Sequence, residues 1–165
     1  MENAGQIILP DKYKVVPRSL IFIINKDEIL LIKGAPGKKI WSGYYNGIGG
    51  HIERGENILA GAERELYEET GIHGIDLTLR AVINIDVEKE LGITLFVFLG
   101  ETTKKEIKPS SEGNVEWVKI DELSNYQLVE DLYILIPKLL ACKNSLLFGY
   151  YYYDNAGGQL RMEFK

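Results

Sequence analysis

Cysteine occurs once, at Cys142. That excludes an internal disulfide and a cysteine-built zinc site, and it fits a reducing compartment. Long apolar runs are missing too. The most apolar stretch, Leu20 to Ile24, falls far short of the ~20 residues a membrane-spanning helix needs. Met1 to Pro10 lacks a basic start followed by an apolar core, so it does not read as a signal peptide. Histidine is scarce, and His51 and His73 lack the spacing of metal ligands. Basic charge is in deficit: 19 lysines and arginines stand against 24 acidic residues, a net −5. Such a balance argues against coating a nucleic-acid polymer or an anionic membrane. A phosphate-bearing ligand stays open, because carboxylates holding a divalent cation reverse the local sign. The expectation is a soluble, cytoplasmic chain, monomer or homodimer, forming a single domain over residues 1–165.

What is present reads as strands interleaved with two helices. Val15–Ile24 and Glu28–Lys33 are β-branched and apolar, with a turn at Asn25–Asp27. Gly34 to Lys39 is a loop, and Trp41–Ile48 is partly extended. Leu77–Ile85 and Ile93–Leu99 are strands joined by the polar turn Glu88–Gly92, and Val115–Ile120 is another. A helix is expected from Glu130 to Cys142, kinked or broken at Pro137. Leu146–Tyr153 and Gln159–Phe164 form a hairpin turning at Asp154 to Gly158, in which Tyr150 to Tyr153 alternate faces for packing and edge exposure. Together these elements point to an α/β fold with a mixed sheet between helices.

The informative segment runs from Gly50 to Ile72. Asn57 is a helix N-cap and Gly71 a left-handed stop for a helix over Ile58–Thr70. On that helix Glu69 lies about 40° from Glu65 on one side and Glu68 about 60° on the other. Three carboxylates therefore fan over one face. Gly61, a turn earlier, reads as a bare patch leaving room for a cation, while Leu59, Ala62 and Leu66 face the sheet. Like charges at these spacings destabilise a helix, and the macrodipole disfavours anions near its C-terminus. A compensating cation explains the arrangement, and hard carboxylate oxygens suit magnesium or manganese.

Gly50, Glu56, Arg64, Glu65, Leu66, Glu68, Glu69, Gly71 and Ile72 match the Nudix box, G-x5-E-x7-R-E-U-x-E-E-x-G-U with U aliphatic, at every specified position. The chain thus resembles the Nudix hydrolases. That resemblance implies a Nudix fold, an α/β/α sandwich in which the box, residues 50–72, forms a loop–helix–loop. It implies Mg²⁺- or Mn²⁺-dependent hydrolysis of nucleoside diphosphates linked to another group. Glu65, Glu68 and Glu69, with Gly50, would hold the metal; Arg64 would steady the box by ion pairing; Glu56 would support the loop. Gly47-Ile48-Gly49-Gly50 is not a dinucleotide fingerprint, since Ile52 occupies the third glycine position.

Subfamily markers bear on the substrate, a small-molecule nucleotide. The proline expected beyond the box in ADP-ribose hydrolases is missing, since the next proline is Pro109, and the tyrosine of dinucleoside-polyphosphate hydrolases is missing between Tyr67 and Tyr126. The run Tyr45 to Gly50, Glu112 ahead of Trp117, Glu130-Asp131-Leu132-Tyr133 before Pro137, and Phe148 to Tyr151 are similar to the MutT-like, 8-oxo-dGTP diphosphatase-like group. By that resemblance Asn46, Glu130 and Asp131 would read a purine, Gly49 and Gly50 would bind substrate, and Glu112 would join the catalytic carboxylates. Leu128 stands where that group carries a base-stacking tryptophan, Glu130 replaces an aspartate, and the loop Gly34–Gly43 is longer. The rival expectations are a hydrolase of another nucleoside-diphosphate conjugate, such as ADP-ribose or a dinucleoside polyphosphate, and a nucleotide sensor without turnover.

Overall fold

The computed structural model describes residues 7–37, 39–142, 144–154 and 158–165. Most of the segment Met1–Pro10, Lys38 in the first loop and the hairpin tip Asn155–Gly157 lie outside the described residues. The elements are β1 (Lys14–Asn25), β2 (Glu28–Gly34), β3 (Tyr45–Asn46), α1 (Ile58–Thr70), β4 (Thr78–Glu88), β5 (Leu91–Glu101), β6 (Gly113–Lys119), α2 (Leu132–Ala141), β7 (Leu147–Tyr153) and β8 (Leu160–Phe164).

The mixed sheet follows from β1. Its side chains alternate between two faces, as strand geometry requires. Leu20 and Phe22 pack in one layer with Leu132, Leu135 and Leu139 of α2. Ile21 and Ile23 pack in the other with Ala62 and Leu66 of α1. Each fully buried Ile, Leu or Phe contributes roughly 1.5–3 kcal/mol, so a strand buried on both faces ties the two helices to one sheet.

The strand order is β3-β2-β1-β5-β4-β7-β8, with β6 also paired to β2. β1 runs parallel to β5 from Lys14↔Leu91 to Ile24↔Glu101. It meets β2 only at the hairpin, Ile24↔Ile29 and Asn25↔Glu28. β2 then diverges to pair with β6 along its length and with β3 at its end. The edge of β1 so released is taken by the segment after β3, through bridges Ile21↔Ile48 and Arg18↔His51. Divergence of β2 thus opens the seat in which the loop before α1 lies.

Local chemistry sets α1. The Asn57 Oδ1 accepts from the Ala60 N–H at 2.9 Å, and Gly71, at φ 75°, donates its N–H to the Tyr67 carbonyl. Two expectations for this helix are corrected. Leu59 is 42% exposed and lies outside both core layers. Gly61 is buried rather than bare: a Cβ there would meet Glu56 Oε1 and Ile52 Cδ1, each at 2.8 Å. Its missing side chain makes room for the loop, not for a cation.

Elsewhere the differences are modest. Only Tyr45–Asn46 of the Trp41–Ile48 stretch is a regular strand, because its glycines hand the chain to the β1 bridges. A 3-10 turn at Ile120–Asn125 follows β6. α2 starts at Leu132 and continues through Pro137, which sits on the exposed face between buried Ile136 and Leu139. A proline there gives up one backbone hydrogen bond, and the buried leucines hold the helix regardless.

Candidate active site

Two glycines fasten the loop to β1. Ile21 and Ile48 exchange backbone hydrogen bonds at 2.7 and 3.1 Å, and the Ser19 N–H donates to the Gly50 carbonyl at 2.8 Å. Gly49, at φ 147°, lies so close to β1 that a Cβ would strike the Ser19 carbonyl. Only glycine fits that approach. Its N–H donates at 3.0 Å to Oε2 of Glu69, a carboxylate only 8% exposed. A buried carboxylate is stable where N–H donors or cations face it. Gly50 leaves room for Glu65, whose Oε1 would stand 2.5 Å from any Cβ at that position.

Arg64 organises the remaining charges. Its Nε and Nη2 donate to the two oxygens of Glu56 at 3.1 and 2.8 Å. Nη1 reaches Glu65 Oε1 at 2.9 Å and Glu68 Oε2 at 3.2 Å, while Nη2 also donates to the His51 carbonyl at 3.0 Å. Glu56 Oε1 accepts in addition from the Glu53 N–H at 2.7 Å. The guanidinium beside Glu56 holds its carboxyl down at about 2. The planar fork suits this bidentate pairing, which a lysine cannot reproduce.

Among the described residues, no three His, Cys, Asp or Glu side chains stand gathered as a ready metal cage. Arg64 engages Glu65 and Glu68, while the Gly49 N–H engages Glu69. The donor set nonetheless fits a hard divalent cation, since it offers only oxygens, including a buried carboxylate. The residues able to hold one are Glu65, Glu68, Glu69 and the Gly50 carbonyl, which keeps a second lone pair beyond its bond from Ser19.

A cavity of about 250 Å³ adjoins this loop, lined by Asn46, Gly47, Gly49, Glu130 and Asp131 among others. The three residues expected to read a base are therefore brought together. Asn46 Oδ1 accepts from the neighbouring Gly47 N–H at 2.8 Å, which fixes its side chain beside the cavity. Asp131 begins α2 but makes no side-chain capping bond. Burial, reinforced by Glu130, pushes its carboxyl up from 3.8 to about 6. The two acids are not equivalent, for Glu130 is exposed whereas Asp131 is half-buried. Leu128 is no substitute for a stacking ring: it is 2% exposed in the core and bridges to Tyr45. Glu112 sits exposed on the turn before β6, its N–H donating to Ser110 Oγ, and does not line this cavity.

Sequence reading missed Trp41, Tyr151 and Tyr153, which also line the cavity. Trp41 comes from the long loop in a left-handed conformation, φ 62°, against Tyr44. The tyrosines follow from the alternation of β7: Leu147 and Tyr151 join the layer of α2, and Tyr153, exposed, lies two residues further along the same face. That alternation was legible, but its neighbour across the cavity was not.

Comparison with known proteins agrees with this geometry. The NUDIX domain model matches residues 14–139. An oxidized purine nucleoside triphosphate hydrolase of Danio rerio is 27% identical over 81% of this chain and 83% of its own. The protein of that name from Mus musculus is 30% identical over 76% of this chain and 80% of its own. A MutT protein from Bacillus halodurans superposes with a TM-score of 0.72 at 26% identity, over 92% of this chain and 98% of that one. With its loop–helix–loop of carboxylates, its mixed sheet and a family match across most of its length, the chain belongs to the Nudix family, in its MutT-like branch, and is a hydrolase of nucleotide pyrophosphate bonds.

Proposed function

We propose that the protein is a Mg²⁺- or Mn²⁺-dependent pyrophosphohydrolase that converts nucleoside triphosphates to monophosphate and pyrophosphate, with oxidised purine nucleotides of the 8-oxo-dGTP type as preferred substrates. The observation carrying this reading is the double role of Gly49. Its N–H bonds the buried Glu69 carboxylate, and the same residue lines the cavity that holds Asn46 and Asp131. A nucleotide with its base in that cavity therefore extends its phosphates towards Glu65, Glu68 and Glu69. The names of the Danio rerio and Mus musculus relatives support the purine assignment.

A divalent cation held by Glu65, Glu68, Glu69 and the Gly50 carbonyl would neutralise pyrophosphate oxygens and acidify the attacking water. Arg64, fixed on Glu56, orients the carboxylates of Glu65 and Glu68. A carboxylate of the cluster takes the proton of the water whose oxygen bonds to phosphorus, while the bridging P–O bond breaks and pyrophosphate leaves. Asn46 and Asp131 offer amide and carboxyl groups to the base edge, Asp131 as a donor when protonated. Glu130 stands at the rim. Glu112 lies outside the cavity lining and takes no part in this step.

A Mg²⁺-supplemented panel of nucleoside triphosphates, ADP-ribose and dinucleoside polyphosphates, followed by pyrophosphate or phosphate release, tests the reading. Fastest turnover on oxidised purine triphosphates is the expected result. Preference for a conjugate would replace the substrate, and tight binding without turnover across the panel would make the protein a sensor.

A further inference from the structure

Tyr151 is 2% exposed, and its hydroxyl is the single buried side-chain polar atom among the described residues that bonds to nothing. It lies on the wall of the cavity that Asp131 and Asn46 share, and the Asp131 carboxyl is close enough to push the phenol up further than burial alone. An orphaned buried hydroxyl costs roughly 1–3 kcal/mol. Nothing in the core demands it. Tyr151 packs edge-on against Phe164 at 5.7 Å between ring centres, and phenylalanine would fill the same space. An orphaned polar atom of this kind calls for an explanation, and its place on the wall of the cavity supplies one, a partner brought by the ligand.

Resting on the purine reading above, we propose that Tyr151 is a specificity-determining positioning residue: its O–H is completed when a base enters, by bonding the Asp131 carboxyl, so that Tyr151, Asp131 and the base edge form one hydrogen-bonded chain. In this chain Asp131 meets the base and Tyr151 holds the carboxyl in the rotamer that does so. A phenolic O–H can donate to either protonation state of the acid and also accept from the protonated one. The ligand set then discriminates bases by the sum of an amide, a carboxyl and the hydroxyl behind it. The other charged or titratable groups facing Asp131 across the cavity are Glu130, Arg18 and Tyr153.

The test is Tyr151→Phe, Asp131→Asn and the double variant, each assayed with an oxidised purine triphosphate and with a pyrimidine triphosphate across pH 5–8. Tyr151→Phe should raise KM for the purine roughly five- to tenfold, leave kcat and the pyrimidine KM within twofold, and shift the pH at which the purine KM changes. Its free form should melt no lower than the wild type. The double variant should be no worse than Asp131→Asn alone. An unchanged purine KM in Tyr151→Phe, a lowered melting temperature, or additive effects in the double variant would each overturn the inference. If Asp131→Asn also leaves the purine KM unchanged, the purine reading itself falls, and Tyr151 with it.

Discussion

Glu68 and Glu69 are neighbours in sequence but occupy different environments. Glu68 is largely solvent-exposed, whereas Glu69 is buried against Gly49. Glu68→Gln and Glu69→Gln each keep the size of the side chain, and glutamine at 69 can still accept from the Gly49 N–H. Both should lose at least about 10²-fold in kcat under saturating Mg²⁺ while far-UV circular dichroism stays unchanged; near-wild-type turnover in both would dismiss the carboxylate cluster. Asp131→Asn should raise the purine KM several-fold more than it lowers kcat. Asp131 also carries a stability signature. Its folded pKa is raised, so the folded state binds more protons than the unfolded chain between pH 3.8 and about 6. Stability from this group is complete below that window and is lost as pH rises through it. Above pH 6 the buried charge costs on the order of 2–3 kcal/mol, and Asp131→Asn should melt higher than wild type at pH 7.5 but not at pH 4.

Helix α1 shows how far local rules carry function. Asn57 and Gly71 end it as their residue types dictate, so Asn57→Ala should cost about 1 kcal/mol in denaturant unfolding with an unchanged m-value. Gly71→Ala should cost more, because φ 75° strains any other residue and a Cβ would crowd the Lys108 stem. The helix, its caps and its three carboxylates were legible because they follow from spacing along one element. Gly61 was misread for the opposite reason. Its meaning depends on Ile52 and Glu56, which reach it from a loop whose path is set by β1. Leu59 likewise looked apolar and inward, yet it is exposed while Ala62 and Leu66 of the same helix are buried. Asp131 and Glu130 could be named from sequence, but their unequal burial depends on β7 and on the long loop closing round the cavity. Tyr151 stayed hidden in a run of four tyrosines until pairing with β4 and β8 fixed which of them point inward.

Taken as one body, the protein concentrates its charge. Residues 50–72 hold six glutamates against two arginines, so this segment accounts for −4 of the net −5. The surplus is a local property of the box in an otherwise nearly neutral chain. Because β1 packs on both helices, the single-domain reading predicts one cooperative transition, with tryptophan fluorescence and circular dichroism giving coincident midpoints. Saturating Mg²⁺ should raise that midpoint by mass action, about 2.7 kcal/mol at a hundred times its Kd, and EDTA should reverse both this shift and the turnover. The place to which the ion would come is already occupied by a charge. Arg64 neutralises Glu65 and Glu68 through one nitrogen while its other two grip Glu56. On the proposed function, a divalent ion arriving here would share Glu65 and Glu68 with a tethered monovalent neighbour that is already in place. The arginine's grip on Glu56 and on the His51 carbonyl holds the loop assembled with no ion present, so the site would not have to be rebuilt each time one came or went.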